Sequence, residues 1–298
     1  MDLSRCTCHE AGFCPVFGKV MGHSPPNWKW CQETTEQKRK DYYLKSNAVS
    51  VASKSVEYNS YHTTFFEEVE SDPEPNPKSK NLIITVGAGP IESLYKFSGP
   101  LMEDYSRKVG ADFILLKGQT QKYWGNEKFR IKKYSSVYER ILFLDIDILI
   151  KRNSPNLFDV IDEDCVSMHN DRDFLTPRWG IKDKKKLLSC RFDDEKTIDR
   201  LANTKKVYNT GVVLSSKCHE NLWEPINYDY RQTHWDEQFQ IESNCLYYDY
   251  KTQDLPTEFN CQHWMKDFDT MKKDAFFIHY AGDKNREENM EKDLELCL

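Results

Sequence analysis

The chain has 298 residues, of which 39% are hydrophobic, 13% aromatic and 30% charged, with a formal net charge of −6 at pH 7. That length suits one large domain with a small attachment. The acidic balance argues against a nucleic-acid binder, which carries a basic excess, and no apolar run approaches the roughly 20 residues needed to span a bilayer.

The first residues, MDLSRCTCHEAGF, lack the apolar core of a secretory signal, so the expectation is a cytoplasmic protein. Residues 1–45 are rich in cysteine, tryptophan, glycine and proline. Cys6, Cys8, Cys14 and Cys31 offer four thiolates, with His9 and His23 in reserve. Four such ligands can close a tetrahedral structural zinc site. The spacing lacks paired Cys-x-x-Cys knuckles, and an iron–sulfur site or free thiols are the alternatives. The other six cysteines (Cys165, Cys190, Cys218, Cys245, Cys261 and Cys297) are scattered singly, as free thiols are in a reducing compartment. Residues 46–80 read as a linker or extended surface strap, because the alternating prolines at 73, 75 and 77 interrupt any helix or interior strand.

From residue 81 to 298 the pattern is that of an α/β domain. NLIITV (81–86) is a short β-branched run suited to a strand buried on both faces of a parallel sheet, and it stops at Gly87. A helix follows, with Pro100 in its first turn and Leu101, Tyr105 and Val109 at helical spacing. ADFILL (111–116) is the second strand, 127–139 the next helix, and 140–150 the longest strand. Later strands are predicted at 165–168, 212–215 and 275–279. The basic runs at 182–186 and Lys205-Lys206 read as solvated faces. Strand and helix alternate as βαβ units do.

Chemistry concentrates in RILFLDIDILI (140–150). Side chains alternate along a strand, so Asp145 and Asp147 project to one face while Leu144, Ile146 and Ile148 go to the other. Two ionised carboxylates on one face of an apolar strand repel each other and are costly to desolvate. A shared Mg²⁺ or Mn²⁺ relieves both problems and keeps open positions that phosphate oxygens can fill. The bland alternative is a strand end where both aspartates reach solvent.

This segment resembles the Asp-x-Asp strand of glycosyltransferases with the GT-A fold, most closely the glycogenin-like and lipopolysaccharide galactosyltransferase group. The resemblance covers roughly residues 81–284. It implies a Rossmann-like, mixed and mostly parallel sheet flanked by helices, behind the small Cys-rich N-terminal module. It also implies transfer of a sugar from a nucleoside diphosphate donor, UDP above all, to an acceptor the sequence leaves unidentified, with retention of configuration. By the same resemblance Asp145 contacts ribose or metal and Asp147 binds the metal. Lys128, ahead of the strand, reaches the sugar nucleotide, and Thr85, Val86 and Gly87 begin the base-binding loop.

Three further segments match the family's order. Asn209, Thr210 and Gly211 resemble its Asn-(Ser/Thr)-Gly segment facing the donor sugar; the alternative is a turn leading into a strand. Asp236, Glu237 and Gln238 resemble the acidic helix start near the reacting carbon, a position that also suits simple helix capping. His279, Gly282 and Lys284 resemble its His-x-x-Gly-x-x-Lys pattern, in which the histidine is the third metal ligand and the glycine and lysine meet the diphosphate. Imidazole beside two carboxylates suits Mn²⁺ rather better than Mg²⁺. Here Lys284 follows Gly282 by two residues rather than three, which departs from the pattern. LPTEFN (255–260) matches the family's loop before the last strand without a chemical role. The rival functions are an inactive scaffold on the same fold and a sugar-nucleotide pyrophosphorylase. The latter lacks its basic loop here, because Gly87-Ala-Gly-Pro carries no Arg or Lys.

Overall fold

The computed structural model describes residues 71–121, 123–173, 181–204, 206–226 and 235–298, together with an antiparallel pairing of β1 (Phe13–Cys14) and β2 (Gly18–Lys19). The zinc reading falls on Cys6, Cys8, Cys31 and the Cys14 side chain, which lie outside the described residues, as do His9, His23 and Lys205. The chain divides into two units, Met1–Phe65 and Phe66–Leu298.

The second unit is built on a six-stranded sheet. Its members are β3 (Asn81–Gly87), β4 (Asp112–Lys117), β5 (Arg140–Leu144), β7 (Val166–Asn170), β8 (Tyr208–Ser216) and β9 (Thr252–Asp254), in the order β4-β3-β5-β8-β7-β9. Only β8 runs against the rest, so the sheet is mixed and mostly parallel. Alternation along the central strands fills a core on each face. Leu82, Ile84, Ile141, Phe143 and Val213 pack on one side, and Ile83, Leu142, Leu144, Val212 and Leu214 on the other. Both faces are therefore covered, as the unbroken apolar run of β3 predicts.

A smaller sheet takes over where β5 ends. It consists of β6 (Ile148–Ile150), β10 (Cys261–Gln262) and β11 (Phe277–His279), with β11 central, antiparallel to β6 and parallel to β10. Here the strand predicted over 140–150 is corrected. It breaks at Asp145 and turns through Ile146 and Asp147 before β6 begins. Ile146 accordingly leaves the large sheet's core and packs with Leu149 and Ile278 behind the small one.

Two helices also depart from expectation. The first, α1 (Tyr95–Val109), begins five residues before Pro100 and carries it internally, following a 3₁₀ segment Gly89–Leu94. The proline forfeits one intrahelical bond, while buried Met102 and Tyr105 keep the helix docked. Gly110 ends it in the left-handed conformation at φ 68°. In place of a helix over 127–139 there is a 3₁₀ segment, Trp124–Ile131, and a single turn α2 (Lys132–Ser135). Gly125 to Phe129 are buried consecutively, which one face of a regular α-helix cannot achieve.

Residues 71–80 lie on this unit as a strap. Asp72 pairs with Arg130, the Tyr134 hydroxyl donates to the Pro73 carbonyl at 2.7 Å, and Asp112 accepts from Lys78 N at 2.7 Å. The remaining helices are α3 (Leu157–Val160), α4 (Ile181–Leu188), α5 (Glu195–Ala202), α6 (Asp236–Tyr247), α7 (Phe268–Asp274) and α8 (Arg286–Asp293). No helix among the described residues is long and apolar enough to cross a membrane.

The basic run on α4 is not wholly a solvated face. Lys184 is buried and pairs with buried Glu242 of α6, which also accepts from Tyr208 N. Lys184→Met strands that carboxylate, and the expected loss is about 3–5 kcal/mol in urea denaturation. Adding Glu242→Gln should recover much of it, and a single variant as stable as the parent would show that the pair is not holding α4 to α6.

Candidate metal and diphosphate site

At the seam between the two sheets, two neighbouring aspartates meet a sequence-distant histidine. Asp145 follows β5, Asp147 precedes β6 and His279 ends β11. His279 Nε2 lies 3.3 Å from Asp147 Oδ1 and 3.8 Å from Asp145 Oδ2. One ligand atom from each of the three falls within 4.8 Å of the others. Two carboxylate oxygens and an imidazole nitrogen are a donor set suited to a divalent cation. Asp147 and His279 are buried while Asp145 keeps 23% of its side chain exposed, so the cluster opens on the Asp145 side.

Two cations frame the cluster. Lys128 Nζ sits 3.1 Å from Asp145 Oδ1 and 3.6 Å from Glu237 Oε1, and donates to the Thr210 carbonyl at 3.2 Å. Burial pulls the pKa of this ammonium down, but Asp145 and Glu237 outweigh it and hold it above the ordinary lysine value. Arg286, on the first turn of α8, places Nη1 2.9 Å from Asp147 Oδ2. Burial would raise the Asp147 pKa, but His279 and Arg286 prevail and hold it below the usual carboxylate range.

A break in the sheet supplies the third wall. Pairing of β7 with β8 runs Met168↔Val213 and then jumps to His169↔Asn209, leaving Thr210, Gly211 and Val212 bulged away from β7. Bulges re-aim backbone groups next to functional sites. The Thr210 carbonyl here turns to Lys128, and the Gly211 carbonyl accepts from Asp145 N at 2.7 Å. Asn209, Thr210 and Gly211 thus lie inside β8 rather than in a turn before it. Gly211 faces the His279 ring so closely that a Cβ there would come within 2.2 Å of Cε1.

Asp236, Glu237 and Gln238 open α6, all buried. Glu237 Oε2 and the Tyr123 hydroxyl are both buried with no hydrogen-bond partner among the described residues. They meet around Gly125, where a Cβ would sit 2.6 Å from Tyr123 Cε1 and 2.9 Å from Glu237 Oε2. Burial, the largest cause, lifts the Glu237 pKa to about 7; Lys128 opposes the rise and Asp145 adds to it. In the unfolded chain that carboxyl titrates near 4.5. The folded state therefore holds the extra proton between about pH 4.5 and 7, and Glu237 withdraws stability as pH rises through that window. Glu237→Gln should be more stable than the parent above pH 7 by on the order of 3 kcal/mol, and the gap should vanish near pH 4.5. Thermal melts across pH 5–8 check this, and a pH-independent difference would contradict it.

The other sequence-predicted residues fall outside this convergence. Thr85 and Val86 are buried within β3, and the Thr85 hydroxyl has no partner among the described residues. Gly87 ends the same strand. Gly282 adopts φ +69° with open space around it, and Lys284 is exposed. Two residues further on, Arg286 is the cation that reaches Asp147, a residue the motif reading missed because the spacing differs from the family pattern. Asn260 was also missed as chemistry. It contacts His279 Nδ1 at 2.7 Å.

No family model matches the chain, and no curated protein does. Among solved structures it is similar to a glycosyltransferase involved in glycosylation of the major capsid of PBCV-1, with 17% identity, covering 71% of this chain and 98% of that one, TM-score 0.47. It is also similar to the bifunctional glycosyltransferase WbbM (14% identity, 75% and 51% covered, TM-score 0.48). A third is the galactosyltransferase LgtC with donor and acceptor sugar analogues (12% identity, 72% and 95% covered, TM-score 0.46).

Proposed function

We propose that the protein is a metal-dependent glycosyltransferase of the GT-A type that moves a sugar from a nucleoside diphosphate donor, UDP-sugar foremost, to an acceptor hydroxyl. The observation that carries this reading is the convergence of Asp145, Asp147 and His279 between two cations, buried Lys128 and partly exposed Arg286, at the end of a central strand of a mostly parallel sheet. In this reading these three residues hold the divalent cation, Mn²⁺ before Mg²⁺, which neutralises the charge developing on the departing diphosphate. Lys128 faces the same charge from the 3₁₀ segment, and Arg286 does so from α8 in the place first assigned to Lys284. Gly282 gives the chain room to turn beneath the diphosphate, and β3 at Thr85, Val86 and Gly87 leads into the loop that takes the base. Thr210 and Gly211 line the donor-sugar side, and Asp236, Glu237 and Gln238 stand where the sugar meets its acceptor. Much of the rate then comes from holding two reactants in register.

Retention of configuration accords with the same reading, since it requires no base on the acceptor hydroxyl. The N-terminal cysteines are proposed to close a structural zinc site that docks the acceptor or supports the fold. The test is a thermal-shift screen of nucleotide sugars with and without Mn²⁺, followed by donor hydrolysis. A ligand that binds only the native state raises the midpoint, so a UDP-sugar shift that requires Mn²⁺ is the expected result. No shift and no hydrolysis with any common donor would overturn the assignment and favour a scaffold.

A further inference from the structure

The loop carrying LPTEFN (255–260) has no part in the proposed reaction, yet its last residue touches the site. Asn260 is fully buried, and its side-chain oxygen lies 2.7 Å from His279 Nδ1. Its amide nitrogen donates to Asn209 Oδ1 at 3.0 Å, and that same oxygen accepts from the Gly211 backbone N–H at 2.9 Å.

The direction of this chain of bonds follows from its first member. A backbone N–H can only donate, so the Asn209 atom facing Gly211 N is its carbonyl oxygen. An oxygen accepts, so the Asn260 atom pointing at it is the NH₂ group. The remaining Asn260 atom is then a carbonyl oxygen, and it faces His279 Nδ1. A carbonyl accepts only, so Nδ1 carries the hydrogen. In the neutral ring the other nitrogen, Nε2, is left with a bare lone pair, and Nε2 is the atom aimed at Asp147 Oδ1 and Asp145 Oδ2.

We propose that the Gly211–Asn209–Asn260 relay fixes His279 as the Nδ1–H tautomer, with Nε2 presented to a divalent cation. Asn260 and Asn209 are then positioning residues of the metal centre, and Asn209 acts through the histidine rather than on the donor sugar. The inference rests on the metal reading above for its consequence, but the Nδ1–H···Asn260 bond is a property of the metal-free protein. Gly211 serves the relay twice, since its N–H starts the chain and its missing Cβ leaves room for the ring.

Long-range ¹H–¹⁵N correlation of the histidine rings in the metal-free full chain, at a pH where the ring is neutral, tests the tautomer directly. The His279 signals are assigned by their absence in His279→Gln. The expected result is the Nδ1–H pattern in the parent, and an Nε2–H pattern would overturn the proposal. Mn²⁺ affinity, read by electron paramagnetic resonance of the free ion, tests the consequence. Asn260→Ala should weaken it by roughly 10–100-fold. Asn260→Asp keeps an acceptor on Nδ1–H but gives up the donor to Asn209 Oδ1, so its loss should be clearly smaller than that of Asn260→Ala. An Asn260→Ala affinity within two-fold of the parent, or equal losses in both variants, would overturn the positioning role. If the parent binds no Mn²⁺ while His279 shows the Nδ1–H pattern, the metal reading falls and the relay stands.

Discussion

Asp147→Asn is expected to cut Mn²⁺-dependent donor turnover by about 10³-fold, equivalent to about 4 kcal/mol of transition-state stabilisation, with little change in the fold. The substitution keeps the side-chain volume and removes one of two carboxylates that face the same imidazole. In the proposed reaction the cation's main task is to absorb charge on the leaving diphosphate, a contribution of several kcal/mol. Asp147 is the more buried of the two aspartates, and Arg286 closes its far side. Titration of Mn²⁺ into both proteins, with turnover measured at saturating metal, separates weaker binding from impaired chemistry. Turnover that survives at the parental rate would remove Asp147 from the metal centre.

Gly211→Ala should have the second-largest effect, and it acts without replacing a ligand residue. A Cβ at this position would lie 2.2 Å from His279 Cε1 and 2.8 and 2.9 Å from its two ring nitrogens. Strand β8 is held between β5 and β7, and the ring is held by Asn260. Neither has an easy way to yield. Overpacking of this kind costs about 1–3 kcal/mol, which for a domain of this size lowers the melting midpoint by several degrees. Displacing the ring should also weaken Mn²⁺ binding by at least tenfold. The diagnostic is a double-mutant cycle. In a His279→Ala background the added methyl has room, so the stability penalty of Gly211→Ala should largely disappear. Additive penalties would mean that the clash lies elsewhere.

The fold was legible where one physical signal ruled. The β-branched run of β3 and the aliphatic run of β5 announce strands buried on both faces, and both lie at the centre of the large sheet. The signal was weakest where burial and periodicity part company. Gly125 to Phe129 are all inward in a 3₁₀ segment that an α-helical period cannot describe. Pro100 was read as a helix start because a proline inside a helix is costly, and the packing of α1 overrides that cost. Strands β9 and β10, of three and two residues, are too short to show alternation.

In the site, Asp145, Asp147 and His279 were legible as residue types in order, but for a reason the structure amends. They meet because the chain changes sheets between the two aspartates, and alternation along a continuous strand plays no part. Arg286 and Asn260 were not legible as participants. One lies off the motif spacing, and the other acts through hydrogen bonds whose polarity only a three-dimensional arrangement can decide.

The division of the ligands between two sheets also sets a schedule. Every strand of the large sheet has been synthesised by Asp254, the end of β9, whereas His279 closes β11 far nearer the C-terminus. Domains begin folding while the chain is still emerging. A nascent chain can thus have made every strand of the large sheet and both aspartates before it owns the imidazole. Cation capture must wait for β11, and a chain cut before Phe277 would never complete its metal site.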